Sequence, residues 1–396
     1  MHVLITADTV GGVWTYTQEL VTGLAARGVR VTLVSFGRIP TPAQSAWLDE
    51  LTLVEYLPTG FRLEWMQDSD GDVAHSIRYL QDVIRERRPD LLHLSQFCYG
   101  ALEVKLPKIV VAHSDVISWN RAVHGAQPGG RWAEWYRGVV SEGLAGAGLV
   151  VAPSHWMLGE LERGYGIKLH SRVIYNGRTP ELFNRLGPKR QYAASAGRLW
   201  DEGKQSRLLM EIGQPPLPIV LAGAWALEDE SEPGFPEIEF PESGFPENEF
   251  GENEFAENDE QDRGRRPEQP AVRCSGVLSQ AGMRELLAGA AIYIATSKYE
   301  PFGLAPLEAA LSGCALVAND IPSLREVWGP AALYFRKDDP SSLREVLALL
   351  HGNRELCLEY ADRAHAHACR NYTAARMVDE YVAAYRALLG HGVAAA

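Results

Sequence analysis

The chain has 396 residues, 46% of them hydrophobic and 22% charged, with a formal net charge of -13. This composition excludes a wholly disordered chain, a collagen-like chain and a disulfide-dense miniprotein, and the length passes the ~250–300 residues at which one core stops growing, so two domains are expected. The charge is local: residues 228–262 hold fifteen acidic and no basic side chains, and the 36 acidic and 38 basic residues elsewhere nearly balance, which gives no surface suited to nucleic acid.

In chain order, the β-branched run Val3–Thr6 opens as a buried strand. Gly11 and Gly12 follow, then a helix to about Arg27 with Leu20, Leu24 and Ala25 at helical spacing, stopped by Gly28. Strands at 29–35, 91–94, 108–112 and 148–152 alternate with helices at 72–87, 131–146 and 154–163. The second half repeats the scheme. Strands fall at 192–196, 219–222, 292–295 and 315–317, and helices at 204–212, 279–288, 304–312, 340–350, 353–368 and 373–389. Such alternation predicts an α/β fold with two parallel, doubly wound sheets. The boundary is expected at 173–176, giving residues 1–173 and 174–372 as the two domains.

One segment breaks the pattern. Phe235, Phe240, Phe245, Phe250 and Phe255 recur every five residues in acidic units of the form Phe-x-Glu, with Pro236, Pro241 and Pro246 interspersed. A five-residue period fits neither a helix nor a strand, so residues 228–268 are expected to form a disordered acidic insert. A tandem repeat in a tolerant loop and an acidic, aromatic docking segment are both open readings.

The five cysteines are odd in number and none is spaced as Cys-x2-Cys, which suits a reducing compartment. The N-terminus lacks a basic, apolar leader pattern, and no apolar run reaches the ~20 residues of a spanning helix, so a cytoplasmic protein is expected.

The residues that carry chemistry cluster at strand ends. Glu300-Pro301-Phe302-Gly303-Leu304-Ala305-Pro306-Leu307-Glu308 follows a predicted strand and enters a helix. Glu300 then sits at the carboxyl edge of a sheet, where open α/β sheets bind ligands. The amides of Gly303, Leu304 and Ala305 are unpaired donors at a helix start, suited to an anion or a sugar hydroxyl. Arg198 ends another predicted strand and Lys204 begins the next helix, so two cations would face a diphosphate. Gly11-Gly12 lets backbone approach a ligand, but there is no Gly-x-Gly-x-x-Gly and no Gly-Lys-Ser/Thr. His93 and His113 both follow strands, and each is open to a structural or a catalytic role. Seven of the ten tryptophans (Trp14, Trp47, Trp65, Trp119, Trp132, Trp135 and Trp156) lie in the first domain, mostly as core, with some free to stack on an acceptor.

Taken together, these pieces resemble glycosyltransferase family 4, the retaining group with the GT-B fold, over nearly the whole chain outside 228–268. Glu300 and Glu308 match its Glu-x7-Glu motif, Gly197-Arg198 with Lys204 its diphosphate-binding pair, Gly11-Gly12 its glycine loop and His113 its first-domain histidine. The stretch 299–334 with Glu326 is also similar. Val173-Ile174-Tyr175-Asn176-Gly177 resembles the junction turn, which the family commonly continues to an Asp where Arg178 and Thr179 stand here.

The resemblance implies two Rossmann-like domains facing a central cleft, with a C-terminal helix (373–396) crossing back onto an acceptor-binding first domain. It implies transfer of a sugar from a nucleoside-diphosphate sugar to an acceptor hydroxyl by metal-independent, same-face displacement. Glu300 and His113 would be the catalytic residues, Glu300 holding sugar hydroxyls and His113 lining the pocket near the reacting carbon. Donor binding would fall to Gly11, Gly12, Arg198, Lys204, Phe302, Gly303, Leu304, Ala305 and Glu308, with Glu308 on the ribose hydroxyls. No cofactor or metal is implied beyond the nucleotide-sugar co-substrate. A sugar-nucleotide epimerase on the same fold and a non-catalytic nucleotide-sugar-binding protein are the alternatives, and a donor hydrolysis assay separates the transferase and the epimerase from the binding protein. A monomer or homodimer is expected, with at most peripheral membrane contact through Arg85, Arg87 and Arg88.

Overall fold

The computed structural model describes residues 1–9, 11–225 and 271–393. The acidic repeat, and with it the expected insert, lies outside the described residues.

Two parallel sheets organise the chain. The first contains β1 (His2–Asp8), β2 (Arg30–Phe36), β3 (Val54–Pro58), β4 (Leu91–Leu94), β5 (Lys108–Val111), β6 (Leu149–Ala152) and β7 (Ser171–Val173), in the order β3-β2-β1-β4-β5-β6-β7. The second contains β8 (Arg190–Ala196), β9 (Ile219–Ala222), β10 (Val272–Cys274), β11 (Ala290–Ala295), β12 (Ala315–Asn319) and β13 (Leu333–Phe335), ordered β10-β9-β8-β11-β12-β13. Their central strands are buried along their length, which is why they read as continuous apolar runs rather than alternating ones. In each sheet the order reverses beside the first strand, so β1 and β4, and β8 and β11, diverge into a crevice at their carboxyl ends.

Each sheet is covered on both faces, giving four apolar clusters. The last helix, Ala374–Val393, belongs to a cluster of the first sheet and not of the second, which it follows in sequence. Met377, Val378, Tyr381, Val382, Ala384 and Tyr385 are buried there. The larger of these side chains each contribute about 1.5–3 kcal/mol of burial. Gly23 allows the close crossing: a Cβ there would lie 2.5 Å from Val378.

The sequence reading places no strand at β3, β7, β10 or β13 and no helix at Pro322–Trp328, and it differs at two further elements. The helix expected over 204–212 is a pair of short 3-10 turns, Glu202–Lys204 and Ser206–Leu209. Gln205 between them takes a left-handed backbone, φ 50°, which an α-helix cannot contain. The helix Val116–His124 was not anticipated, although Asp115 caps it by accepting from the Ser118 amide at 2.7 Å.

Candidate active site

The carboxyl edges of the two sheets meet. Gly12, after β1, has Leu304 Cδ1 3.4 Å from the position of a Cβ, so the glycine loop faces the start of the helix Leu304–Leu311. Gly303 caps that helix with φ 93°. Its left-handed backbone turns the chain so that the first-turn amides, without partners inside the helix, point outward.

Glu300 lies in the loop between β11 and this helix and is 9% exposed. Its Oε2 accepts from Lys204 Nζ at 2.5 Å and from Ser297 Oγ at 3.1 Å. Backbone bonds set this meeting. Gly203 O accepts from the Lys298 amide at 2.8 Å, and Thr296 Oγ1 donates to Lys204 O at 2.7 Å. The Lys204 stem runs along Gly197, about which a Cβ would stand 3.6 Å from it. Arg198 behaves differently. It pairs with Asp201 Oδ2 at 2.8 Å, lies 5.4 Å from the Trp200 ring centroid and stays 42% exposed. The structure therefore joins Lys204 to Glu300 and leaves Arg198 at the rim.

Phe302 is 2% exposed and packs edge-on against Tyr372 with centroids 5.1 Å apart. Its side chain is a core group, so its backbone is what it can offer a ligand. Leu304 and Ala305 are half-buried at the helix start. Glu308, in the next turn, meets the junction between the domains. Its Oε1 lies 3.0 Å from Arg178 Nε, and Arg178 Nη1 donates to Glu19 Oε1 at 2.7 Å. Burial raises the Glu308 pKa, and the Arg178 charge opposes that shift.

The two histidines separate. His93 is fully buried, with Tyr16 Oη 3.1 Å from Nε2 and Tyr385 Oη 2.7 Å from Nδ1, so it ties the C-terminal helix to the first sheet. His113 keeps a partly exposed edge, stands edge-on to Tyr16 at 4.5 Å and has Nε2 3.3 Å from Ser95 Oγ. Burial lowers both pKa values to about 3. Both rings are therefore neutral in the folded protein, while an unfolded histidine protonates below about pH 6.5. The folded state then loses stability as pH falls from about 6.5 toward 3, by up to ~1.4 kcal/mol per pH unit for each ring. Thermal melts across that range should show the decline, and His93→Asn should show a shallower one; an unchanged slope would contradict the assignment.

Several residues join the domains, a role the sequence reading assigns to none of them, although Tyr299 and Glu326 lie in the stretch 299–334 that resembles the family. Tyr299 belongs to the second domain but is buried in a cluster of the first. Glu326 accepts from the His155 and Trp156 amides at 2.7 and 2.8 Å, which caps the helix His155–Tyr165 from across the cleft. Trp119 Nε1 donates to Asp201 Oδ1 at 3.2 Å. Of the seven first-domain tryptophans, Trp119 and Trp156 line this seam. Trp14 packs on Trp47 in the core, Trp65 donates to Asp8, and Trp132 stacks on Tyr136. Trp135 packs against the core. Arg85 pairs with Asp82 and Arg87 with Glu55, while Arg88 ends its helix in a left-handed cap. Among the described residues no helix is long and apolar enough to cross a membrane, and no group of three or more His, Cys, Asp or Glu is placed to hold a metal ion.

A family model for Glycosyltransferase Family 4 matches residues 10–182, and one for Glycosyl transferases group 1 matches residues 250–353. The two matches, one in each half, show that the chain is a glycosyltransferase. Solved structures share its architecture at low identity. A sucrose-phosphate synthase from Thermosynechococcus elongatus superposes with a TM-score of 0.74 at 14% identity, covering 99% of this chain and 100% of that one. Anabaena Alr3699/HepE, solved in complex with UDP and glucose, gives 0.69 at 16% identity, covering 98% and 100%. WaaG, a glycosyltransferase involved in lipopolysaccharide biosynthesis, gives 0.64 at 12%, covering 96% and 98%. No curated protein matches the sequence. The glycosyltransferase thus has the GT-B arrangement of two Rossmann-like domains, with its final helix returned to the first.

Proposed function

We propose that this glycosyltransferase moves a sugar from a nucleoside-diphosphate sugar to an acceptor hydroxyl, with retention at the reacting carbon and without a metal ion. The observation that carries the reading is the Lys204–Glu300 pair beside the helix start at Gly303, facing the Gly11-Gly12 loop. Structures of HepE, a protein of the same fold, hold UDP with glucose, and UDP-glucose. Residues 1–173 with the final helix would take the acceptor, and residues 174–372 the donor. The five free thiols suit a reducing, cytoplasmic setting.

The chemistry follows from the charges. Breaking the bond between the sugar carbon and the phosphate oxygen leaves negative charge on the diphosphate and positive charge on the ring. Lys204, Arg198 and the amides at 303–305 stabilise the first, in place of a cation from solution. Glu300 orients sugar hydroxyls and stabilises the second. The acceptor oxygen bonds to the same face of the carbon as the diphosphate leaves, and its proton passes to the departing phosphate oxygen. His113, being neutral, supplies a polar wall near that carbon and no charge.

Calorimetric titration with nucleoside diphosphates and nucleotide sugars tests the donor site. One nucleotide should bind the wild-type protein and bind the Lys204→Ala variant roughly 10–100-fold more weakly, the worth of a charge-assisted contact. Absence of binding by any of them would overturn the reading.

A further inference from the structure

We propose that Arg178, at the junction between the domains, is a positioning residue that aims Glu308 at the nucleotide ribose by tying it to the first domain. The inference rests on the reading of Glu308 as the ribose ligand and adds a residue to it.

Three observations place Arg178 in this role. It is 4% exposed and stands between two carboxylates from different domains. Glu19 lies on the helix Gly12–Ala26, which begins at the glycine loop. Glu308 lies on the helix that begins at Gly303. One guanidinium thus links the two helices whose starts frame the proposed phosphate site. Secondly, the backbone of Arg178 is held. Its amide donates to Tyr372 O at 3.0 Å, and its carbonyl accepts from the Ala374 amide at 2.9 Å. Gly177 makes this possible, since a Cβ there would sit 2.3 Å from Thr373 O. Both passages of the chain between the domains therefore meet at this residue. Thirdly, the ion pair engages Oε1 of Glu308, and that side chain keeps 16% of its surface open, so the carboxylate is not closed off from a ligand.

The physics makes Arg178 necessary for that geometry. Without it, Glu19 and Glu308 would be two buried carboxylates with like charge and no shared cation. Glu308 would then take up a proton or rotate away, and either change removes an acceptor for ribose hydroxyls. Thr179 completes the Glu19 end, donating from Oγ1 to Oε2 at 2.6 Å, so the guanidinium is fixed on its far side. The Phe183 ring, 5.3 Å from its centre, restrains it further.

The test compares affinities for UDP, ADP and GDP with those for their 2′-deoxy counterparts, in wild type, Glu308→Gln, Arg178→Lys and the double variant Arg178→Met with Glu19→Gln. The double variant avoids leaving two bare carboxylates. The wild type should prefer the ribose form of the nucleotide it binds by roughly 10-fold or more, as a charged hydrogen bond is worth. Glu308→Gln and the double variant should both lose that preference, while affinity for the deoxy form stays near the wild-type value. Arg178→Lys keeps the charge but cannot fork between the carboxylates, and should lose at least about threefold of the preference. It carries the test if the double variant does not fold. A merely structural Arg178 would weaken both nucleotide forms equally and leave their ratio unchanged, which would overturn the proposal. If Glu308→Gln flattens the ratio and no Arg178 variant does, the ribose reading stands and the proposal falls. If Glu308→Gln leaves the ratio intact, the ribose reading itself fails, and the proposal with it.

Discussion

Replacing Glu300 by Gln is expected to lower kcat by ~10²–10⁴-fold while nucleoside diphosphates still bind. The two effects separate because of where the carboxylate stands. Glu300 Oε2 holds Lys204 Nζ at 2.5 Å, so in the empty site the lysine's charge is partly spent on Glu300. Gln keeps the volume and removes the charge. Lys204 is then freer to meet a diphosphate, and affinity for the product nucleotide should hold or rise. The sugar ring gains positive charge only as its bond to phosphate breaks, so loss of the Glu300 charge is felt in the transition state more than in binding. The variant's stability will also fall, since Lys204 loses a partner while only a quarter exposed. Rates should therefore be read well below both melting temperatures. A kcat within about threefold of wild type would remove Glu300 from the chemistry.

The sheet and the loops were legible to different degrees, for physical reasons. The central strands announced themselves because burial on both faces demands unbroken apolar runs, as in Val3–Thr6 and Ile292–Ala295. The edge strands did not. Val54–Pro58 mixes exposed and half-buried positions with no fully buried one, and Val272–Cys274 spans three residues, so each is defined by its neighbour's backbone rather than by its own pattern. The site divides in the same way. Glu300 and the Gly303 turn could be placed from sequence because their spacing reflects one loop and one helix start. Lys204, 96 positions from Glu300, is expected from sequence to open a helix that is not there, and its pairing with Glu300 comes from the fold. The partners of Glu308 could not be placed either, since Glu19 and Arg178 lie 289 and 130 positions away and meet it only through the fold. The trace of that contact in the sequence was the departure at Arg178-Thr179. The glycine pattern was equally silent about Gly143, whose Cβ would fall 1.8 Å from Phe97 O; it looks like any small residue in a helix until the neighbouring turn is known.

Tyr299→Ala is expected to cost about 3–5 kcal/mol of stability, the range for emptying a large buried aromatic site, and to reduce turnover in the protein that remains folded. Tyr299→Phe should cost only about 1–2 kcal/mol. The ring is 5% exposed, is enclosed by first-domain residues and lies 5.5 Å from Trp156. Its hydroxyl accepts from the Asp115 amide at 3.0 Å and meets Ser118 Oγ at 3.0 Å. These contacts link the first domain to both halves of the proposed donor site. Tyr299 precedes Glu300 directly. The helix capped by Asp115 carries Trp119, whose indole bonds Asp201, and Asp201 in turn caps the short turn ending in Lys204. Emptying the Tyr299 site should loosen the Lys204–Glu300 geometry from both sides, and scanning calorimetry should resolve the single unfolding transition into two as the domains uncouple. Removing the hydroxyl alone should leave the transition single and turnover within about tenfold of wild type, because the ring still fills its site. Were Tyr299→Ala to turn over at the wild-type rate per folded molecule, the seam would be packing alone and the position of Glu300 would be set within the second domain.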